Sequence, residues 1–428
     1  MRKTLGISTV ILSVLLMYGC KKEEKPAIPV ITTTEVTGIS YTTATSGGDV
    51  TADGGAPILS RGVCWHTVVN PIVADTKTTE TGSTGSFSTN LTHLNPNTVY
   101  YVRAYATNIS GTGYGDQVSF TTMQTMAPSM STTSITSFTT TTAVAGGNIS
   151  NENGAAVTAR GVCWSTHPDP TTSDSKTSDG TGPGIFSSTL SGLTANTIYY
   201  LKAYATNSEA TSYGEVLSFK TFAVDDIDGN GYNSVTIGTQ IWLMENLKTT
   251  KFNDGTAITP VADKTEWLNL VTPGYCWYNN DEAANKSVYG ALYNWYAVNT
   301  GKLCPDGWHV PSHTEWIVLS DFLGGDTETY LESSTAGGKL KETGVEHWTS
   351  PNVGATNETG FTALPGGMRI STGEFWKINL YGGWWTSTES GTMAYARTIN
   401  NYRSDLINWG NSASNSKYEG MSVRCLKD

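Results

Sequence analysis

Asn97-Thr98-Val99-Tyr100-Tyr101-Val102-Arg103-Ala104-Tyr105-Ala106-Thr107-Asn108 returns as Asn196-Thr197-Ile198-Tyr199-Tyr200-Leu201-Lys202-Ala203-Tyr204-Ala205-Thr206-Asn207, and this pair decides the fold. Successive side chains of a strand point to opposite faces. Tyr100, Val102, Ala104 and Ala106 therefore share one face, with Tyr101, Arg103 and Tyr105 on the other. Further out, Arg61-Gly62-Val63-Cys64-Trp65 returns as Arg160-Gly161-Val162-Cys163-Trp164, and Val118-Ser119-Phe120 as Leu217-Ser218-Phe219. All pairs sit 99 residues apart without slippage, so a domain has been duplicated in tandem. Short alternating runs separated by Gly, Asn, Pro and Asp clusters fill each copy, the pattern of a β-sandwich.

Within these copies, Leu94-x-Pro96-x-Thr98-x-Tyr100 and Leu193-x-Ala195-x-Thr197-x-Tyr199 resemble the tyrosine-corner segment of fibronectin type III domains. The resemblance covers residues 27–122 and 128–222 and implies spacer domains, each pinned by a tyrosine hydroxyl bonded to backbone. Ala195 stands where proline is usual, which loosens the turn more than the topology. Cys64 and Cys163, one per copy, read as small buried hydrophobes. A catalytic thiol needs a base, and none follows the repeat: His66 aligns with Ser165 and His93 with Gly192.

At the N-terminus, Arg2 and Lys3 precede a mostly apolar run, Leu5 to Gly19, that is too short to span a bilayer and suits an export signal. Leu16-Met17-Tyr18-Gly19-Cys20 resembles a lipobox, although Met17 and Tyr18 depart from its usual residues. The resemblance implies a signal peptide over 1–19, lipid on Cys20 and a membrane as partner. An ordinary cleaved signal with an incidental cysteine is the alternative. Residues 20–26 form a charged tether. Its Lys-Lys-Glu-Glu-Lys over 21–25 also resembles a surface-export tag of Gram-negative lipoproteins, so the expected place is the outer membrane, surface-exposed. Loss of residues 1–19 removes two cations and no acid, moving the net charge from −11 to −13. An acidic chain without a basic patch argues against nucleic acid as partner.

Composition shifts near Asp225, and eleven of the thirteen tryptophans lie in residues 225–428. A domain of that length can bury a core of its own. Ser312-x-x-Glu315 after Pro311 is a capping box. It predicts a helix with Trp316, Leu319, Phe322 and Leu323 on one face and Gly324-Gly325 as the stop. Asp263 with Glu266 predicts a second cap, Ala291 to Val298 a short helix before Gly301, and Met421, Val423 and Cys425 an alternating final strand.

Several segments in order resemble the Fibrobacter succinogenes major paralogous domain. They include Ile237-Gly238-Thr239-Gln240-Ile241-Trp242-Leu243-Met244-Glu245-Asn246-Leu247, Tyr289-Gly290-Ala291-Leu292-Tyr293-Asn294-Trp295, Cys304-Pro305-Asp306-Gly307-Trp308-His309-Val310-Pro311, Trp384-Trp385-Thr386-Ser387 and Ser422-Val423-Arg424-Cys425. The resemblance spans 225–428 and implies a secreted bacterial module carried behind fibronectin-like repeats on surface lipoproteins. Its ending is similar to C-type-lectin-like and formylglycine-generating-enzyme-like domains. The fold class expected is thus multidomain and mostly β, with two sandwiches followed by an α+β domain. The lectin-like likeness implies a disulfide between Cys304 and Cys425. Three cysteines allow three pairings, and Cys276, flanked by Tyr275 and Trp277, reads as a buried apolar position.

Asp226, Asp228 and Asn230 mimic the start of a calcium loop, but Ile237 occupies the twelfth position where a bidentate Glu belongs, so a tight turn is the better reading. His309 and His313 are separated by Pro311 and a helix start, so one helical face does not present both to zinc. The triplets of calcium-dependent lectins do not occur. No metal and no cofactor is expected, and no motif singles out a glycosidase-type carboxylate pair. Trp376, Trp384 and Trp385 are the candidate ligand-binding residues, able to stack on sugar rings or anchor a protein, unless they build the core. The leading expectation is a non-catalytic module for adhesion or recognition, of an extracellular glycan or protein. A glycan-processing enzyme and a purely structural envelope protein are the alternatives.

Overall fold

The computed structural model describes residues 25–324, 335–409 and 416–428. Cys20 and its flanking signal lie outside the described residues. The first repeat runs β1 (Val30–Thr33), β2 (Ala44–Ala52), β3 (Ser60–His66), β4 (Thr76–Lys77), β5 (Gly85–Leu91), β6 (Val99–Asn108), β7 (Gly111–Tyr114) and β8 (Val118–Thr121). One sheet is β1-β2-β5. The other is β4-β3-β6-β7, with β8 also on β6. The second repeat repeats this pairing with β9 (Ser129–Phe138), β10 (Ala143–Asn151), β11 (Ala159–Ser165), β12 (Ser175–Lys176), β13 (Gly184–Leu190), β14 (Ile198–Thr206), β15 (Thr211–Tyr213) and β16 (Leu217–Lys220).

The predicted face of β6 is the core face: Tyr100 and Val102 are buried with Val63, Leu91, Leu94 and Phe120. The opposite face holds a surprise at Tyr105, which is only 2% exposed. Its ring lies along Gly62, where a Cβ would come within 3.0 Å of it and 2.3 Å of the Thr78 carbonyl. Its hydroxyl donates to that carbonyl at 2.8 Å. Gly161 and Tyr204 repeat the arrangement, which accounts for the glycine in Arg-Gly-Val-Cys-Trp. Both tyrosine corners are formed: the Asn95 N–H donates to the Tyr100 hydroxyl and the Thr194 N–H to that of Tyr199, each at 3.0 Å.

The chain divides into two compact units, residues 1–127 with 153–156, and 128–152 with 157–428. The second repeat and the C-terminal domain therefore share one unit. At their seam Phe138 packs on Phe222 with ring centroids 4.7 Å apart, and the Thr140 hydroxyl donates to Asp225 at 2.6 Å. Gly231 is obligatory there, because a Cβ would meet the Phe222 ring at 1.8 Å.

The C-terminal domain has a four-stranded sheet ordered Ser234–Ile237, Gln240–Leu243, Leu426–Lys427 and Trp308–His309, and a three-stranded sheet of Tyr381–Ser390, Met393–Asn400 and Ile407–Trp409. The helix His313–Phe322 begins at the capping box, with both reciprocal bonds present. Trp316, Leu319 and Leu323 face inward, but Phe322 is 62% exposed and departs from the expected face. Asp263 caps the helix Lys264–Leu268 as expected. Only Trp295–Val298 of the Ala291–Val298 stretch is helical, because Leu292–Tyr293 pairs as a strand with Tyr275-Cys276. The final segment also differs from the alternating strand expected. Ser422 and Arg424 are as buried as Met421, Val423 and Cys425, since packed structure covers both faces. Cys304 and Cys425 are joined in a disulfide, with Cα atoms 6.1 Å apart, and Cys276 is free and buried.

Candidate functional site

Trp384 and Trp385 are not available to a ligand, since both are 0% exposed. They are adjacent in the strand Tyr381–Ser390, so they point to opposite faces, and that strand is covered on both sides. Trp384 enters the cluster of Trp242, Trp316 and Phe361, while Trp385 enters that of Tyr293, Trp295 and Met421. Their indole N–H groups are spent internally, on Asn246 Oδ1 and on the Tyr293 carbonyl, each at 2.8 Å. The glycines before them are packing devices: a Cβ on Gly382 would meet the Trp384 ring at 2.5 Å, and one on Gly383 the Met368 sulfur at 2.7 Å. The expectation that this pair binds ligand is corrected. The pair joins two cores.

Trp376 is different. It is half-buried, in the short strand Phe375–Trp376, and its ring centroid lies 4.6 Å from that of Tyr381. Tyr381 in turn packs edge-on against Tyr402 at 6.0 Å, the two hydroxyls are hydrogen-bonded, and Tyr402 is 53% exposed. Burial, helped by the bond to Tyr402, raises the Tyr381 hydroxyl above its ordinary value and keeps it protonated. Tyr381 and Tyr402 escaped sequence reasoning because the juxtaposition is made by pairing: Tyr381 stands opposite Asn400 in the strand register, two residues before Tyr402.

The loop between Trp376 and Tyr381 is held firmly. Lys377 and Asn379 adopt φ of 59° and 65°, a region that non-glycine residues occupy at a cost. Asn379 donates its N–H to Pro365 at 2.9 Å, its carbonyl accepts from Thr349 at 2.8 Å, and its side chain accepts from the Tyr289 hydroxyl at 2.7 Å. The aromatic surface is therefore preorganised. Tyr289 also meets the ring of His347 edge-on at 5.9 Å.

Among the described residues, Glu342, Glu346 and His347 bring metal-ligating atoms within 4.8 Å of one another. Irregular chain makes this trio, so no spacing in the sequence announced it. His347 Nδ1 already lies 2.9 Å from both carboxylate oxygens of Glu342. The aspartates of 226–230 form the turn expected of them: Asp226 accepts from the backbone of Asp228 and Asn230 and, at 2.6 Å, from the Tyr232 hydroxyl. His309 and His313 serve separately. His309 bridges Asp428 at 2.6 Å and Glu315 at 3.0 Å, whereas His313 stacks on Tyr395 with ring centroids 4.1 Å apart. Burial pushes the Cys64 and Cys163 thiols up to about 11, the condition of inert packing groups. A cavity of about 600 Å³ lies elsewhere on the domain, between Lys248, Glu282 and Lys286. Lys286 there is paired with Glu282 at 2.8 Å.

Sheet pairing and core define a multidomain, mostly β protein: two sandwiches with a three-strand sheet against a sheet built on β6 or β14, then a disulfide-closed domain. Residues 235–427 match the model of the Fibrobacter succinogenes major domain. No curated protein matches the chain. Among solved structures, the FN1-FN3 domains of chicken CNTN1 are similar at 16% identity, over 46% of this chain and 69% of that one, with a TM-score of 0.20. A solved myokine is 22% identical over 23% of this chain and 100% of its own, with a TM-score of 0.18.

Proposed function

We propose that the protein is a non-catalytic surface lipoprotein whose C-terminal domain recognises an extracellular glycan through Trp376, Tyr381 and Tyr402. The observation that carries this reading is the preorganised, partly solvent-facing aromatic surface those three residues make. Sugar rings present C–H faces that stack on aromatic rings, and a rigid platform loses little entropy on binding. The repeats supply length between anchor and module, and lipid on Cys20 attaches the whole to the outer membrane. Glu419 is the carboxyl that burial pushes up to about 7, but it is only 8% exposed, which favours a structural over an acid–base role.

A glycan array probed with the mature chain tests the reading, with Trp376→Ala and Tyr402→Ala as variants. Binding that falls at least about tenfold in Trp376→Ala, without release of reducing sugar, is the expected result. A blank array, binding indifferent to both variants, or reducing-sugar release would each defeat it.

A further inference from the structure

The first repeat carries a cavity of about 430 Å³ at the side of its sandwich, floored by Trp65 and Tyr100 and rimmed by His66, Lys77, Asn90 and His93. That volume lies in the range of small-ligand sites. No carboxylate lines it, in a chain whose net charge is −11. Four threonines line it with hydroxyls that both donate and accept, and two rim side chains add donors. His66 Nδ1 accepts from the Val68 N–H at 2.9 Å, which fixes the tautomer with Nε2–H as donor. Asn90 Oδ1 accepts from the Thr45 hydroxyl at 3.0 Å, which leaves its NH₂ as the free end. The acceptor atoms of both side chains are thus spent inside the domain, and donors are left.

The second repeat is an internal control. Trp65, Lys77 and Tyr100 recur as Trp164, Lys176 and Tyr199, whereas His66, Asn90 and His93 are replaced by Ser165, Thr189 and Gly192. The last replacement is informative. Gly192 has φ of 70°, where glycine is free of strain, and His93 holds the same backbone at φ of 59°. A side chain kept in that region at a cost, on the rim of a cavity, points to a task beyond folding.

We propose that the first repeat is a binding domain, whose pocket takes a carboxylate-bearing saccharide. Acceptor-rich carboxylate and hydroxyl groups match the donors of His66 and Asn90 and the positive charge of Lys77, whose ammonium keeps N–H groups beyond the one it gives the Val73 carbonyl, and the aromatic floor meets a sugar ring. This site is independent of the aromatic surface on the C-terminal domain.

Calorimetry of the mature chain with an oligogalacturonide, a neutral oligosaccharide of equal length, and acetate tests it. The variant His66→Ser/His93→Gly writes the second repeat's residues into the first, so folding is retained, and a melting curve verifies this. The oligogalacturonide is expected to bind, the neutral sugar at least tenfold more weakly, and acetate more weakly still. The double variant loses at least tenfold, Asn90→Thr loses less, and Trp376→Ala leaves this binding unchanged. Equal binding of acidic and neutral sugars, undiminished binding by the double variant, or no binding by the wild type overturns the proposal. Binding lost in Trp376→Ala but kept in the double variant assigns the ligand to the C-terminal site instead.

Discussion

Tyr100 and Tyr199 each direct a hydroxyl to one backbone N–H, of Asn95 and of Thr194, and thereby fasten the crossing between two sheets. Removing that hydroxyl leaves the ring packing in place and costs one hydrogen bond, about 1 kcal/mol. Tyr100→Phe is therefore expected to lower the melting temperature of the first unit by a few degrees, and to leave the other transition where it was. Differential scanning calorimetry checks this, and a shift of both transitions would show the units to be coupled. The tryptophans teach the complementary lesson at this scale. Among the described residues, nine tryptophans of the C-terminal domain are less than a tenth exposed, so most of them build core and not a binding face.

The helix His313–Phe322 and the last strand, Leu426–Lys427, are tied by one imidazole. His309 sits between Asp428 at the chain end and Glu315 of the capping box. Burial opposes a charge on His309, but the two carboxylates outweigh it and hold the imidazole above its ordinary value of 6.5. A group raised on folding contributes stability that is complete below the unfolded value and is lost as pH rises through the folded one. Burial also raises the Glu419 carboxyl and, reinforced by Arg397, pushes His313 down to about 4, so the total pH profile mixes several groups. The difference between wild type and His309→Gln isolates the tie. That difference in melting temperature is expected to be largest below pH 6.5 and to shrink as pH rises above it. A difference that is flat with pH would mean the imidazole acts only by its shape.

At the scale of the whole molecule, one covalent bond closes the C-terminal domain, and a lipid anchor is proposed for the chain. The Cys304–Cys425 bridge spans 121 residues and joins the segment before the helix to the buried stretch 421–426. A closed loop of that length restricts the unfolded chain by about 4–5 kcal/mol in the entropic model, an upper figure for most bridges. Cys425→Ser is expected to lower the melting temperature of the C-terminal domain by several degrees. Unreduced peptide mapping should recover residues 304 and 425 together, with Cys276 alone. A 276-linked peptide would contradict this. Lipid on Cys20 predicts that wild type fractionates with membranes and that Cys20→Ser is released, with mass spectrometry identifying the acylated N-terminus. An unmodified N-terminus, or equal release of both proteins, would sink the anchor. Among the described residues no helix is long and apolar enough to cross a membrane.

Periodicity carried the sequence a long way, because strands, caps and corners are local. The face of Tyr100 and Val102, the Asp263 and Ser312 caps, and the Asp226 turn all rest on residues within a few positions of one another, and the repeat is read by comparing such local segments. Tertiary structure alone settled which aromatic side chains meet solvent. Trp384 and Trp385 lie on a strand covered on both faces, whereas Tyr381 and Tyr402, 21 residues apart, come together at its edge. The cavity beside His93 is likewise made by chain segments folding back on one another. A sequence fixes which residues want to be buried; which of them are buried depends on what the rest of the chain brings to lie against them.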